Sequence, residues 1–592
     1  PFVFADRSPP VKRLLATIAT IWRLALPYFR SEDRWAGRAL LAAVIAMELG
    51  IVALNVLFNQ WTNRFYNAMQ SYQWDAFVSE LLWFCMLAAI YIAVAVYQLY
   101  LNQWLQIRWR RWMTLHYLEG WLSAANHYRM QLVGDAADNP DQRIAEDIRS
   151  FVELTLNLSI QILSAIVTLG SFVIILWLLS AEAPLQLFGG ELTIPGYLVW
   201  AALIYAALGT WLTHLVGRAL IWLNFYQQRY EADFRFNLVR TRENSEQIAL
   251  MGGERVERSR LMDRFGFVVS NWRSIMTRTK WLTGFTTSYA QVSSVFPFLV
   301  VSPAYFAHKI PFGTLIQTAS AFGSVQGALS VIVTQYRSIA EWRAVIERLS
   351  GFSAAIETGR QVAIAAPVVS RDVSAQGRRV EIKDLELRLP TGAPLIAANG
   401  LSFGPGDRVL VNGPTGSGKS TLFRAIAGIW PFGSGTIAVP ADATMMVLPQ
   451  RPYLPVGTLR AALTYPEEAD RFDADAIHNV LVAVGLQKLT ERLDETAHWN
   501  RMLSLGEQQR LAIARALLQP PDYLLLDEAT ASLDEPAEAT LYGLLHERMP
   551  KTSIISIGHR STLDAFHRRT IVVASDGERF RARETSLAAS VS

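Results

Sequence analysis

The chain has 592 residues, 51% of them apolar, with 18 tryptophans, 18% charged residues and a formal charge of +4. It is too long for one core and less charged than soluble domains, where about 25% of residues carry charge. A mean hydropathy of +0.20 points to lipid-facing surface and a membrane protein. The arginines cluster beside apolar runs, where anionic lipid and membrane topology account for them, so nucleic acid is excluded as a partner. A single cysteine, Cys85, excludes a disulfide framework and a cysteine metal cluster.

Residues 1–36, beginning "PFVFADRSPPVKRL", lack the basic, apolar and small-residue order of a cleaved signal and read as a cytoplasmic segment. Six apolar runs then approach the roughly 20 residues that cross a bilayer: 37–62, 78–104, 156–180, 195–223, 282–307 and 312–335. They predict an α-helical six-span transmembrane domain over 37–350, with cytoplasmic loops between the spans. Basic residues stay on the cytoplasmic side. Lys12, Arg13, Arg23, Arg30 and Arg34 precede the first span, and Arg108, Arg110, Arg111, Arg129, Arg143 and Arg149 follow the second. Arg218 to Lys280 holds twelve Lys and Arg, whereas "AEAPLQLFGGELTIP" holds none. This alternation places both chain ends in the cytoplasm.

Polar residues interrupt several spans, as in helices that line a wet cavity. Glu48, Asn55, Asn59, Gln98 and Asn102 are the candidate cavity residues, and Asn63 and Asn67 continue the pattern. A carboxylate inside "AAVIAMELGIVAL" is costly unless it faces water or a partner. For Glu48, cavity lining, a structural contact within the bundle and a proton-carrying role all stay open. The tryptophans read as interface anchors or packing.

After Tyr336, "RSIAEWRAVIERLSGF" reads as a helix leaving the membrane, and 351–379 as a linker, because its periodicity fails. From Val380 to Ser592 short strands alternate with helices, which predicts a soluble α/β domain with its own core.

"GPTGSGKS" (Gly413, Pro414, Thr415, Gly416, Ser417, Gly418, Lys419, Ser420) follows the apolar strand "RVLVNG" and leads through Thr421 into a helix. This is the phosphate-loop arrangement: glycines let backbone amides wrap phosphates, Lys419 reaches the β/γ oxygens, and the Ser420 hydroxyl holds Mg²⁺. An unliganded glycine-rich turn would not need that strand and helix on either side. "YLLLDEATASLD" adds an apolar strand delivering Asp527 and Glu528 at its C-terminal end, where ligands sit in open α/β sheets. Asp527 suits the Mg²⁺ shell, and Glu528 suits polarisation of an attacking water.

Between them, "LSLGEQQRLAIARALLQP" resembles the signature motif of the ATP-binding cassette (ABC) family, usually written LSGGQ. Ser504 and Gly506 begin a helix whose dipole can face phosphate, and Pro520 and Pro521 end it. The resemblance implies that Ser504, Leu505, Gly506 and Glu507 face ATP on a second subunit. Leu505 stands where the family has its first signature glycine, and Glu507 where it has Gln, which adds negative charge near phosphate. Gln450 resembles the Q-loop residue that senses Mg²⁺, Asp534 the D-loop residue and His559 the switch histidine. Glu528 and His559 are therefore the catalytic candidates, Ser420, Gln450 and Asp527 the metal candidates, and ATP and Mg²⁺ the cofactors. Between Val380 and Gly406 the only aromatic is Phe403, so no residue is assigned to stack on adenine.

Six spans followed by one cassette resemble an exporter-fold half-transporter. That implies a dimer, with a homodimer as the default. "LNVLFNQWTNRFYNAMQ", "RWRRWMTLHYLEGWL" and "DNPDQRIAEDIRSF" resemble the SbmA/BacA peptide transporters and the mycobacterial transporter of vitamin B12 and hydrophilic compounds. "NSEQIA" resembles a loop of the peroxisomal acyl-CoA transporters. The resemblance implies an ATP hydrolase moving peptides (antimicrobial or peptide-like hydrophilic compounds) across a bacterial inner membrane, with uptake as the direction. Cobalamin import, lipid export and a proton-coupled permease or channel regulated by its cassette are the alternatives. Loops around "NPDQRIAEDI" and "ENSEQIALMGGERVE" are expected to dock on the cassettes near Gln450.

Overall fold

The computed structural model describes residues 10–133, 139–182, 185–187, 190–192, 194–364, 368–375, 377–577 and 579–585. Pro1 to Pro9, Asp138 and parts of the expected loop 181–195 and linker 351–379 lie outside them. The chain forms two compact units, one of residues 1–117 and 140–351, the other of 118–139 and 352–592.

The first unit is helical. After α1 (Pro10–Ala25) come α2 (Arg34–Gln70) and α3 (Trp74–Leu122), whose last turns belong to the second unit, as does α4 (Asn126–Val133). Then follow α5 (Ile148–Glu182), α6 (Tyr197–Glu243), the short α7 (Ser245–Leu250), α8 (Glu254–Phe306), α9 (Phe312–Thr334) and α10 (Tyr336–Val362). The six expected spans fall on α2, α3, α5, α6, α8 and α9, the fourth, fifth and sixth overrunning a helix end by one or two residues. Four helical stretches, containing α2, α3, α5 and α6, carry windows apolar and long enough to cross a membrane. The parts of α8 and α9 expected to span are diluted by Ser, Thr and Gln, which lowers their hydropathy without breaking the helix. Tyrosines tie α6 and α8 together. Tyr205 and Tyr289 each donate their hydroxyl to the other's carbonyl, at 2.8 and 3.0 Å. Phe172, Leu176, Val301 and Phe322 bury the apolar centre among them.

The second unit is an eleven-stranded sheet with helices packed on it. Its strands are β1 (Ser370–Ala375), β2 (Val380–Arg388), β3 (Pro394–Ala398), β4 (Leu401–Phe403), β5 (Arg408–Asn412), β6 (Gly433–Pro440), β7 (Met445–Leu448), β8 (Tyr523–Asp527), β9 (Ser553–Ile557), β10 (Arg569–Asp576) and β11 (Arg579–Thr585). The order is β1-β6-β2-β3-β11-β10-β5-β9-β8-β7, with β4 paired to β2. The run β10-β5-β9-β8-β7 is parallel throughout. Strands buried on both faces read as continuous apolar runs, which is why "RVLVN" and "YLLLD" do not alternate.

The stretch 351–379, expected as a linker, is more structured. Helix α10 continues to Val362, and β1 pairs in parallel with β6, so the sheet begins before Val380. The unit also takes in a distant piece of chain. Leu132 of α4 packs against the sheet's apolar core, and buried Asn126 donates to the carbonyls of Gly120 and Ile356 at 3.1 and 3.0 Å.

Candidate nucleotide site

The ends of adjacent parallel strands bring the motif residues together. Strand β5 runs into Gly413, β7 into Gln450, β8 into Glu528 and β9 into His559. In register, Leu448 lies beside Leu526, Asp527 beside Ile557, and Ile557 beside Val411. Segments far apart in sequence therefore open onto one edge, the carboxyl edge where open α/β sheets bind ligands.

The loop after β5 needs its glycines. Gly413 has φ +158, and a Cβ there would lie 2.6 Å from the Val573 carbonyl oxygen. Gly418, φ +88, caps α11 (Lys419–Ile426), and a Cβ on it would press on Leu395 at 3.0 Å. Pro414, Thr415 and Gly416 are exposed at the tip, while Thr421 is buried in the first turn of the helix. Lys419 is 6% exposed, and its ammonium donates to the carbonyls of Gly413 and Pro414, 2.7 Å each. Burial lowers its pKa, opposed by the charges of Glu528 and Asp527. The Ser417 hydroxyl is fully buried with no hydrogen-bond partner among the described residues.

Ser420 donates to Asp527 at 2.9 Å. Burial pushes the Asp527 carboxyl up, although the Ser420 hydrogen bond and the charges of Arg424 and Lys419 pull it down. A hydroxyl and a half-buried carboxylate at the mouth of a phosphate loop are oxygen donors of the kind Mg²⁺ takes, so these residues fit the ion.

Glu528 is the first residue past β8 and has φ +51, a left-handed backbone that non-glycine residues rarely adopt. Its amide donates to the Ile557 carbonyl at 3.1 Å. One carboxylate oxygen accepts from the Gln450 side chain at 3.1 Å, and the other lies 3.4 Å from His559 Nε2. The expected Gln, Glu and His thus share one carboxylate.

The signature segment forms α12 (Leu505–Leu518), one residue later than its motif suggests, with Ser504 as N-cap. Glu507 accepts from the Ser504 amide and hydroxyl at 2.8 Å each, and its own amide donates back to Ser504 at 3.3 Å. Those bonds from Ser504 hold its carboxyl below the usual range. The departure from Gln therefore closes a capping box, and the carboxylate is turned toward its own helix end. A Cβ on Gly506 would lie 3.3 Å from the Ser532 carbonyl oxygen, so the bare position lets loop 531–534 approach. Asp534 caps α13 (Glu535–Arg548) by accepting from Ala537 N at 2.9 Å. Among the described residues no hydrogen bond or ion pair joins Ser504, Glu507 or Asp534 to the phosphate loop.

Sequence reasoning missed Gln509 and Arg560, which grip this loop from two sides. Gln509 is fully buried, and Arg560 donates to the carbonyls of Leu533 and Ala531 at 2.8 and 3.2 Å. A run of "EQQR" after a signature offers no local sign of which Gln points inward.

The candidate cavity residues in the helical unit divide into two groups. Asn59 is 2% exposed and exchanges both ends of its amide with Gln317 of α9, at 3.0 and 3.1 Å. Asn63 donates to Thr314 and Gln317, and Asn67 accepts from Gly313 N at 2.8 Å. For Asn59 the expectation of cavity lining gives way to a helix-to-helix tie, because both ends of its buried amide are taken by Gln317. Asn55, in contrast, is exposed. On α3, Gln98 donates to Glu48 at 3.1 Å, while Asn102 and Gln106 both donate to Asn157 Oδ1, at 3.3 and 3.4 Å. The other end of the Asn102 amide, Oδ1, is buried with no partner among the described residues.

Residues 24–306 match the family described as ABC transporter transmembrane region 2, and 398–531 match the ABC transporter family. The inner membrane ABC transporter ATP-binding protein YddA of Escherichia coli is 33% identical, covering 92% of this chain and 95% of its own. This chain is an ABC transporter. The lysosomal cobalamin transporter ABCD4 of Mus musculus is 25% identical over 94% of both chains. A bacterial Atm1-family ABC exporter solved with ATP bound has the same fold, with a TM-score of 0.69 at 19% identity over 93% of this chain and 96% of that one. The transporter is thus a half-transporter of exporter fold, of a type that normally dimerises, and an ATPase using ATP with Mg²⁺.

Proposed function

We propose that this transporter works as a homodimer in a bacterial inner membrane, with both chain ends cytoplasmic, and takes up peptides or peptide-like hydrophilic compounds. The observation that carries the cargo reading is the amide row Gln98, Asn102 and Gln106 on one face of α3, beside Glu48 and Asn157. Side-chain amides at a spacing of four residues offer alternating donors and acceptors, which match a peptide backbone better than an acyl chain.

In the ATP cycle, amides of Gly416 to Thr421 and the Lys419 ammonium hold the phosphates. Ser420, Asp527 and Gln450 would hold Mg²⁺, which would supply charge compensation for the transferred phosphoryl group. Glu528 takes a hydrogen bond from the attacking water and orients it, with His559 beside it toward the γ-phosphate. Ser504 to Glu507 and Asp534 complete the site across the dimer. The packing of Leu132 on the sheet core supports the first cytoplasmic loop as a link that carries cassette movement to the spans. Exposed Glu146 and Glu246 belong to the loops that take part.

The deciding measurement is uptake into inverted and right-side-out vesicles with defined peptides, cobalamin and a fluorescent lipid. ATP-dependent peptide accumulation in the cytoplasmic direction supports the reading, and accumulation of cobalamin alone or lipid alone overturns it. Cobalamin is the second reading, favoured by the full-length similarity to a cobalamin transporter. A proton-coupled permease would keep transporting in Glu528→Gln and stop with an uncoupler. Reversing Glu146 and Glu246 to Lys should lower transport while basal ATPase stays normal, and wild-type transport would remove the loops from coupling.

A further inference from the structure

The Gln509 side chain closes a ring of contacts around the carboxylate of Glu528. Its Nε2 donates to the Gln450 backbone carbonyl at 2.9 Å, and its Oε1 accepts from the Ser532 amide at 3.0 Å. Gln450 in turn donates through its side chain to Glu528 at 3.1 Å. From Glu528 the chain runs through Ala531, whose amide donates to the Glu528 carbonyl at 3.1 Å, to Ser532. The ring thus passes from Glu528 to Gln450, to Gln509, to Ser532 and back along the backbone. Gln509 is its only member that reaches across from α12, and it is fully buried.

The neighbouring contacts brace the same loop. Arg560 holds the carbonyls of Ala531 and Leu533, and Glu538, 2% exposed, accepts from Thr530 at 2.5 Å and faces Arg560 at 3.4 Å. These contacts fix the loop to the segment after β9. Gln509 alone among them fixes it to the residue that shares the Glu528 carboxylate.

We propose that Gln509 is a positioning residue for ATP hydrolysis: it locks the Gln450 backbone to the loop that follows Glu528, so that the carboxylate and its amide partner move as one piece. The proposal rests on the assignment of Glu528 as the residue that orients water. Gln509 makes no contact with the phosphate loop among the described residues, so its loss should act on turnover and leave nucleotide capture alone. Both ends of its amide are needed. An acceptor alone leaves the Gln450 carbonyl without its donor, and a donor alone leaves the Ser532 amide unpaired.

The test is the ATPase activity of the full-length transporter in nanodiscs, comparing Gln509→Glu and Gln509→Leu with wild type between pH 6 and pH 9. Gln509→Leu should lower kcat about tenfold or more, about 1.4 kcal/mol of activation free energy, with KM for ATP within about twofold. Gln509→Glu gives the sharper reading. As an ionised carboxylate it cannot donate to Gln450, but once protonated it restores both contacts, and burial favours the protonated form. Its kcat relative to wild type should therefore rise as pH falls, while its melting temperature stays near that of wild type. A pH-independent ratio, or wild-type kcat in folded Gln509→Leu, overturns the proposal. If Gln509→Leu does not fold, the Gln509→Glu profile decides alone. Failure of the Glu528 assignment reads out separately, as near-normal turnover in Glu528→Gln.

Discussion

The two units use polar side chains in opposite ways. In the cassette they sit at the ends of parallel strands, where short loops hold them by backbone geometry and several of them converge on one carboxylate. In the helical unit they lie in the middle of long helices and are spent pairwise against a neighbouring helix, as Asn59 is against Gln317. A strand end turns a local motif into a position in space, whereas a residue on a long helix means nothing until its neighbour is known. The same residue type can therefore be chemistry in one unit and adhesive in the other.

The contrast can be broken hardest at a buried charge in the helical unit. Asp147, 3% exposed, lies between Arg143 at 2.6 Å and Arg348 at 2.5 Å. Asp147→Lys removes the partner of two guanidinium groups and should cost about 3–5 kcal/mol of stability. Thermal unfolding in detergent checks this, and a melting temperature equal to wild type would mean the charges are not paired as described. Its neighbour Glu146 is exposed, so the same reversal there should leave the melting temperature in place.

In the cassette the corresponding break changes rate and leaves stability alone. Glu528→Gln should retain ATP binding and lose about a hundredfold to a thousandfold in turnover, because Gln keeps the shape without the charge that orients water. Single-turnover and steady-state ATPase assays measure it; near-normal turnover would take Glu528 out of its role. Lys419→Ala should weaken ATP affinity about tenfold to a hundredfold, the range for losing a charge-assisted hydrogen bond of about 1.5–3 kcal/mol. Equilibrium binding of a fluorescent ATP analogue gives the answer, and unchanged affinity would contradict the assignment. The smallest effect sharpens the comparison most. Gln317→Leu should cost only about 1 kcal/mol, the scale of interhelical hydrogen bonds in membranes, and should leave ATP binding untouched. Asn55→Leu, on an exposed position, should cost still less.

Much of this was legible in the sequence where the signal is local. Six apolar runs fell on six helices, and the phosphate loop, Gln450, Glu528 and His559 came to one sheet edge because each motif ends an apolar strand. What was not legible depends on partners far along the chain. Gln509 contacts residues 59 and 23 positions away, and Asn59 contacts one 258 positions away. Strand β1 failed as a sequence signal for the same reason: "SRDVSA" is a strand only because β6 is there to pair with it. Glu507 is the opposite case, a departure from a family motif that looked electrostatically awkward and is settled by the three-residue reach of a capping box.

The seating of Leu132 on the sheet core bears on how the polypeptide is made. Helix α4 leaves the ribosome long before β2 to β11 exist, yet the surface that receives Leu132 is assembled from them. During synthesis that short helix waits while α5, α6, α8 and α9 are made. The cassette cannot be finished as a C-terminal bead on a completed string. Its packing reaches back to a piece translated early, so the cassette core is complete only once both α4 and the strands that receive it have been made.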